Sequence, residues 1–117
     1  IRAGVGARAQ KTYYRYRDAA YNGFTIAPSR TPISSEMVPL VPLSEILVEE
    51  VDFLNIDTEG MELEVLASHD WRVRPAVIAV EDNDHGEAGR FLAARGYEHV
   101  ISLGLTGIFS RGDRAAA

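Results

Sequence analysis

Val51-Asp52-Phe53-Leu54-Asn55-Ile56-Asp57-Thr58-Glu59-Gly60-Met61-Glu62-Leu63-Glu64 is the stretch on which the reading of this chain turns. An apolar run ends in an acid, Asp57, a second acid, Glu59, follows two residues later, and then comes Gly60. After the glycine the apolar residues recur at helical spacing, with Met61, Val65 and Leu66 on one face and Glu62 away from it. The pattern predicts a strand over 51–56, mostly buried as a central parallel strand is. A turn carrying Asp57 and Glu59 follows, then a helix from about Met61 to Ser68. In open α/β sheets ligands bind outside the carboxyl ends of the strands. The turn is therefore the first place to look for chemistry. Glu62 and Glu64 fall in the first turns of the helix, where acids suit its positive end.

The same pattern recurs downstream. Ala76-Val77-Ile78-Ala79-Val80 is a second apolar run, and it ends in Glu81 and Asp82. Asn83-Asp84-His85-Gly86 reads as a polar turn, followed by a helix over 87–95 with Ala88, Phe91, Leu92 and Arg95 at helical spacing. Gly96 suits the left-handed position after that helix, and Tyr97 can pack back on its last turn. Residues 100–103 and 107–110 read as an antiparallel strand pair around a turn at 104–106. The tail 112–117 is expected to fray. Trp71, after the first helix, reads as a core or hinge aromatic.

Upstream the signals are weaker. Residues 1–6 resemble the end of a strand. Gly4 and Gly6 do not make a dinucleotide fingerprint, because the third glycine and the following helix pattern are missing. The segment 11–17 mixes Tyr, Thr and Arg and reads as an amphipathic edge strand, with Asn22-Gly23 a turn and 24–26 pairing back. Residues 28–42 hold four prolines and read as a proline-rich loop, with an extended edge segment near 37–41. Ser44 is placed to cap a short helix over 45–49. The sum is an α/β fold with parallel core strands and an antiparallel terminal pair.

Composition limits the function. With 117 residues the chain suits one small domain. Disulfides and thiolate metal sites are excluded, since there is no cysteine. The net charge is −5, and the acids concentrate in the second half, so no basic footprint for nucleic acid is offered there. No apolar run approaches the roughly 20 residues that span a bilayer, and no signal peptide opens the sequence. No nucleic-acid and no membrane partner is expected, and the cytoplasm is the default location.

If strands 51–56 and 76–80 are neighbours, Asp57, Glu59 and Glu81 gather at one edge of the sheet. Such carboxylates can accept a proton from a substrate hydroxyl, hydrogen-bond a sugar, or hold a divalent cation through oxygen. No metal ligand set is assigned. Asp57 can alternatively cap the helix that follows, and Glu59 can serve its dipole. His85, in the turn after Glu81, is a candidate base.

The segment 53–66, an apolar strand followed by Asp-x-Glu-Gly-x-Glu and a helix ending in Val65-Leu66, resembles the signature of FkbM-type methyltransferases. The flanks at 41–47 and 74–81 and the Gly96-Tyr97 pair are similar too, so the likeness covers about residues 38–111 and loosely 1–26. The resemblance implies a Rossmann-like fold that binds S-adenosylmethionine and methylates a hydroxyl of a small-molecule or glycan acceptor. It implies that Asp57 lies by the cofactor's methyl group, with Glu59 and Glu81 lining the acceptor's cleft. Asp57, Glu59 and His85 are the catalytic candidates. Members also carry, upstream, a strand with a glycine-rich loop and a second strand ending in an acid, and Gly4 and Gly6 match neither. The sequence, opening at Ile1, therefore reads as the carboxyl-terminal half of such a domain, expected to bind the cofactor poorly alone.

Two other readings stand beside this one. The strand-Asp57-Thr58-Glu59-Gly60 order also resembles a GTPase switch, but no phosphate-binding Gly-x-x-x-x-Gly-Lys-Ser/Thr exists and the single lysine is Lys11. The other is a catalytically incomplete α/β module that completes its sheet with another chain or a second copy of itself.

Overall fold

A computed structural model of the chain describes residues 4–5, 13–17, 24–25, 34–38, 40–58, 60–82 and 86–112. Glu59, His85 and the tail 113–117 lie outside the described residues. Among the described residues twelve short elements follow one another. They are β1 (Gly4–Val5), β2 (Tyr13–Arg17), β3 (Phe24–Thr25), β4 (Ser34–Val38), β5 (Leu40–Val41), a 3-10 turn (Leu43–Glu45), β6 (Phe53–Ile56), α1 (Glu62–Ala67), β7 (Val77–Glu81), α2 (Glu87–Ala93), β8 (Tyr97–Leu103) and β9 (Thr106–Arg111). The fold is mixed α/β.

The main sheet has the order β6-β7-β9-β8. β6 and β7 run parallel in the register Leu54 to Ile78 and Ile56 to Val80. β9 is antiparallel to both β7 and β8 and lies between them. The antiparallel terminal pair is therefore present, and its second strand is internal to the sheet. Paired residues share a face and successive residues alternate. Leu54, Ile56, Ile78, Val80 and Phe109 thus form one face. The helices cover it with Val65, Leu66, Ala88 and Leu92 in a single apolar cluster. Leu66, Ile78, Val80 and Leu92 are fully buried. Each contributes about 1.5–3 kcal/mol by leaving water.

β6 departs from the expected central strand. Among the described residues it pairs on one edge only, and Phe53 is 57% exposed. The reason is in its own alternation: Leu54 and Ile56 reach the helices, while Phe53 and Asn55 point to the other face. Within the proline-rich segment the described run 34–38 is a strand, where a loop was read. Its prolines flank the run 34–38, which pairs with β2 in five positions, Ser34 opposite Arg17 through Val38 opposite Tyr13. β4 is an edge strand of the sheet β3-β2-β4, the position prolines at its borders tolerate. β3 pairs back on β2 as expected, and β1 is parallel to β5.

The helix expected over 45–49 is absent. A 3-10 turn at Leu43–Glu45 takes its place, with no side-chain cap. Ser44 spends its hydroxyl elsewhere: Oγ accepts the Asp70 N–H at 2.6 Å and lies 3.3 Å from His69 Nδ1. Ser68 Oγ accepts the Leu43 N–H at 2.8 Å. This segment is a strap across the carboxyl end of α1. Trp71 then turns the chain with a left-handed φ of 64°. Its ring packs against His69, Phe91 and Tyr97, and Nε1 donates to Leu66 O at 3.1 Å.

Gly96 has the left-handed φ, +86°, that ends α2 as read. Tyr97 is buried and its hydroxyl donates to Pro75 O at 2.6 Å. Gly112, expected to fray, is tied by its N–H to Gly96 O at 2.7 Å. Among the described residues no helix is long and apolar enough to cross a membrane.

Candidate functional site

The register of β6 and β7 decides what gathers at their carboxyl ends. Ile56 pairs with Val80, so the next residues, Asp57 and Glu81, leave the sheet side by side. Asp57 is exposed and Glu81 half-buried. A third carboxylate joins them. One oxygen from each of Asp57, Glu62 and Glu81 lies within 4.8 Å of the others.

Glu62 corrects the sequence reading. It was expected to lie away from the apolar face, as an acid at the helix start. It is 1% exposed. Thr58 and Gly60 both donate to it, and it becomes their common acceptor. Its Oε2 receives the Thr58 N–H at 2.6 Å and the Thr58 hydroxyl at 2.6 Å, and its Oε1 receives the Gly60 N–H at 3.1 Å. Charge-assisted bonds of this kind are the strong ones. Thr58 Oγ1 in turn accepts the Met61 N–H at 3.1 Å. The start of α1 therefore takes its side-chain acceptor from Thr58, which leaves Asp57 out of the capping role. Gly60 has a φ of 115°, a conformation side chains rarely adopt. The last acid of Asp-x-Glu-Gly-x-Glu was the available signal for Glu62, since Thr58 four residues before it supplies the complementary donors.

Asp57 and Glu81 are thus brought together as expected. Glu59 sits between the ordered Thr58 and Gly60 but lies outside the described residues, as does His85. Three carboxylates this close make a strongly negative spot, suited to a cationic group or to hydroxyl donors. Their oxygens are also the ligand type that hard divalent cations take. Asp82, one residue past Glu81, faces the other way. Its Oδ2 takes the Gly89 N–H at 3.4 Å.

The family model for the methyltransferase FkbM domain matches residues 3–99. The chain belongs to the FkbM methyltransferase family. No curated protein and no solved structure matches it. The match to the FkbM domain takes in all three carboxylates and ends inside β8, before β9. Membership supports a methyltransferase in general as the class of this chain.

Proposed function

We propose that this FkbM methyltransferase domain transfers a methyl group from S-adenosylmethionine to a hydroxyl oxygen of a small-molecule or glycan acceptor. The observation that carries the reading is the Asp57–Glu62–Glu81 cluster at the carboxyl ends of two parallel strands, where Rossmann-like sheets hold their ligands. The donor set fits the cofactor's positive end: three carboxylate oxygens, one from the exposed Asp57, oppose a sulfonium and an ammonium group. When bound, the cofactor supplies an electrophilic methyl group on positively charged sulfur.

Each side chain then has a task. Asp57 would hold the cofactor's positive end. Glu81 accepts the hydrogen bond of the acceptor hydroxyl and fixes its direction. The hydroxyl proton passes to a carboxylate of this pair, with Glu59 and His85 as further proposed bases in the adjoining turns. Glu62 does not reach the acceptor. It is a positioning residue that clamps Thr58 and Gly60, and so sets Asp57 against Glu81.

The test is methyl transfer by the intact protein, using radiolabelled S-adenosylmethionine and a panel of hydroxylated acceptors. Asp57→Asn should lower turnover on the order of 10²–10⁴-fold with an unchanged melting temperature, because Asp57 is exposed and bonds to nothing among the described residues. Unaltered turnover in Asp57→Asn, or transfer to nitrogen in place of oxygen, would overturn the assignment.

A further inference from the structure

Most of the large apolar side chains left in solvent gather in one place. Among the described residues Val100, Ile101, Leu103 and Leu105 are between 50% and 63% exposed, and all four lie on the β8–β9 hairpin. β8 is also an open edge. It pairs with β9 alone, so the outer backbone groups of residues 98–103 have no strand partner among the described residues. Edge strands are commonly kept apart by Lys, Pro or charge. Residues 97–110 hold no Lys, Arg or Pro, and their one acid is Glu98. The protective device present is a bulge between His99 and Ile101. It leaves Ile101-Ser102-Leu103 as a regular, uncharged and exposed segment.

The register sorts these side chains. Ile101 is opposite Ile108 and Leu103 opposite Thr106, on the face away from the helices. Ser102, opposite Gly107, belongs to the helix-covered face.

We infer that this edge is a contact between two copies of the chain, paired antiparallel about a two-fold axis at Ser102. Ile101 then faces the partner's Leu103, and Leu103 faces the partner's Ile101. Four apolar side chains meet on one face, and the two four-stranded sheets become one. A two-fold contact needs a surface complementary to itself, and charge permits that here. Glu98 and the partner's Glu98 stand roughly 27 Å apart in this register, well beyond the ~8 Å screening length of physiological salt. A charged partner, by contrast, finds no opposite charge anywhere in residues 100–110.

The area fits a reversible pair. Each of the four side chains can withdraw on the order of 50–100 Å² from water. With both strand edges, two copies bury about 1,000 Å², the lower bound of a specific interface. Such a contact forms at tens to hundreds of micromolar and is dissociated at low-micromolar concentration, where unfolding is measured. The inference does not depend on the methyl-transfer reading.

Sedimentation equilibrium of the intact protein, from about 5 µM to about 1 mM, tests it. The expected mass rises from one chain to two. Leu103→Lys adds a charge on either side of the axis at an exposed position. It should keep the protein monomeric throughout with an unchanged circular dichroism spectrum. Ser102→Cys tests the register, since the chain has no cysteine of its own. Directly opposed residues of an antiparallel pair lie about 4.5–5.5 Å apart, within disulfide reach. Oxidation should link Ser102→Cys into a covalent dimer at least about tenfold faster than Glu98→Cys. A protein that stays monomeric would overturn the inference, including one whose hairpin takes up lipid vesicles or another protein instead. So would a doubled mass that Leu103→Lys leaves intact, growth beyond two chains, or equal cross-linking of the two cysteine variants.

Discussion

Thr58 and Glu62 grip one another twice: the backbone N–H and the hydroxyl of Thr58 both donate to Glu62 Oε2, each at 2.6 Å. The pair closes the loop at the end of β6 and leaves Asp57 pointing outward. Glu62→Gln replaces an acceptor-only group by one that must turn an NH₂ toward either Thr58 or Gly60, both donors. The expected loss is about 1.5–3 kcal/mol, the range for bonds to a charged partner, read from urea unfolding. Turnover should fall as well, since Asp57 loses its fixed place.

Gly60 tests the same loop through the backbone. An added Cβ meets nothing within 4 Å, so Gly60→Ala creates no clash. The φ of 115° remains unfavourable for any side chain. A cost of about 1–3 kcal/mol is expected from strain alone, seen as a lower melting temperature with an unchanged core. A neutral result would mean that the loop adopts another backbone conformation.

The apolar cluster separates two classes of leucine. Leu66 is fully buried between the helices and the sheet, whereas Leu103 is 62% exposed on the hairpin. Leu66→Ala should destabilise by about 2–5 kcal/mol through lost burial and the cavity left behind. Leu103→Ala should stay within about 0.5 kcal/mol of the parent. Chemical denaturation of both variants checks the layer assignment directly.

Tyr97 joins the end of α2 to the connector before β7. Tyr97→Phe keeps the ring packed against Trp71 and removes the hydroxyl with its bond to Pro75 O. A buried carbonyl then lacks its donor, at about 1–3 kcal/mol. Comparison with Tyr97→Leu, which loses the aromatic contacts too, isolates the hydrogen bond.

Much of this arrangement was legible in the residues. The two apolar runs ending in Asp57 and Glu81 announced parallel neighbours, and the register brings those acids together. Gly96 and Tyr97 marked the end of α2, because the left-handed backbone and the packing aromatic are local properties. What escaped was tertiary. On a helical wheel Glu62 belongs to solvent, but Thr58 and Gly60 claim its carboxylate. Ser44 had the chemistry of a helix cap, but Asp70 and His69 across the chain claimed its hydroxyl. The run 34–38 looked like a loop because its prolines were counted together, although they border a strand that finds its partner in β2. Phe109 of β9 lies against Gly89 of α2, a meeting of two elements that no spacing announces.

The position of β9 between β7 and β8 has a consequence for how the domain comes into being. Synthesis delivers residues from the amino end, and domains form as they emerge. Here the strand at the interior of the main sheet comes after both of its neighbours in the sequence. Until Thr106–Arg111 has left the ribosome, β7 has one neighbour and β8 has none. A nascent chain arrested before β9 holds both carboxylate-bearing strand ends already translated, yet lacks the wedge that locks the sheet. Ribosome-stalled chains ending near residue 103 should therefore be cut freely by protease, and those with β9 outside the exit tunnel should resist.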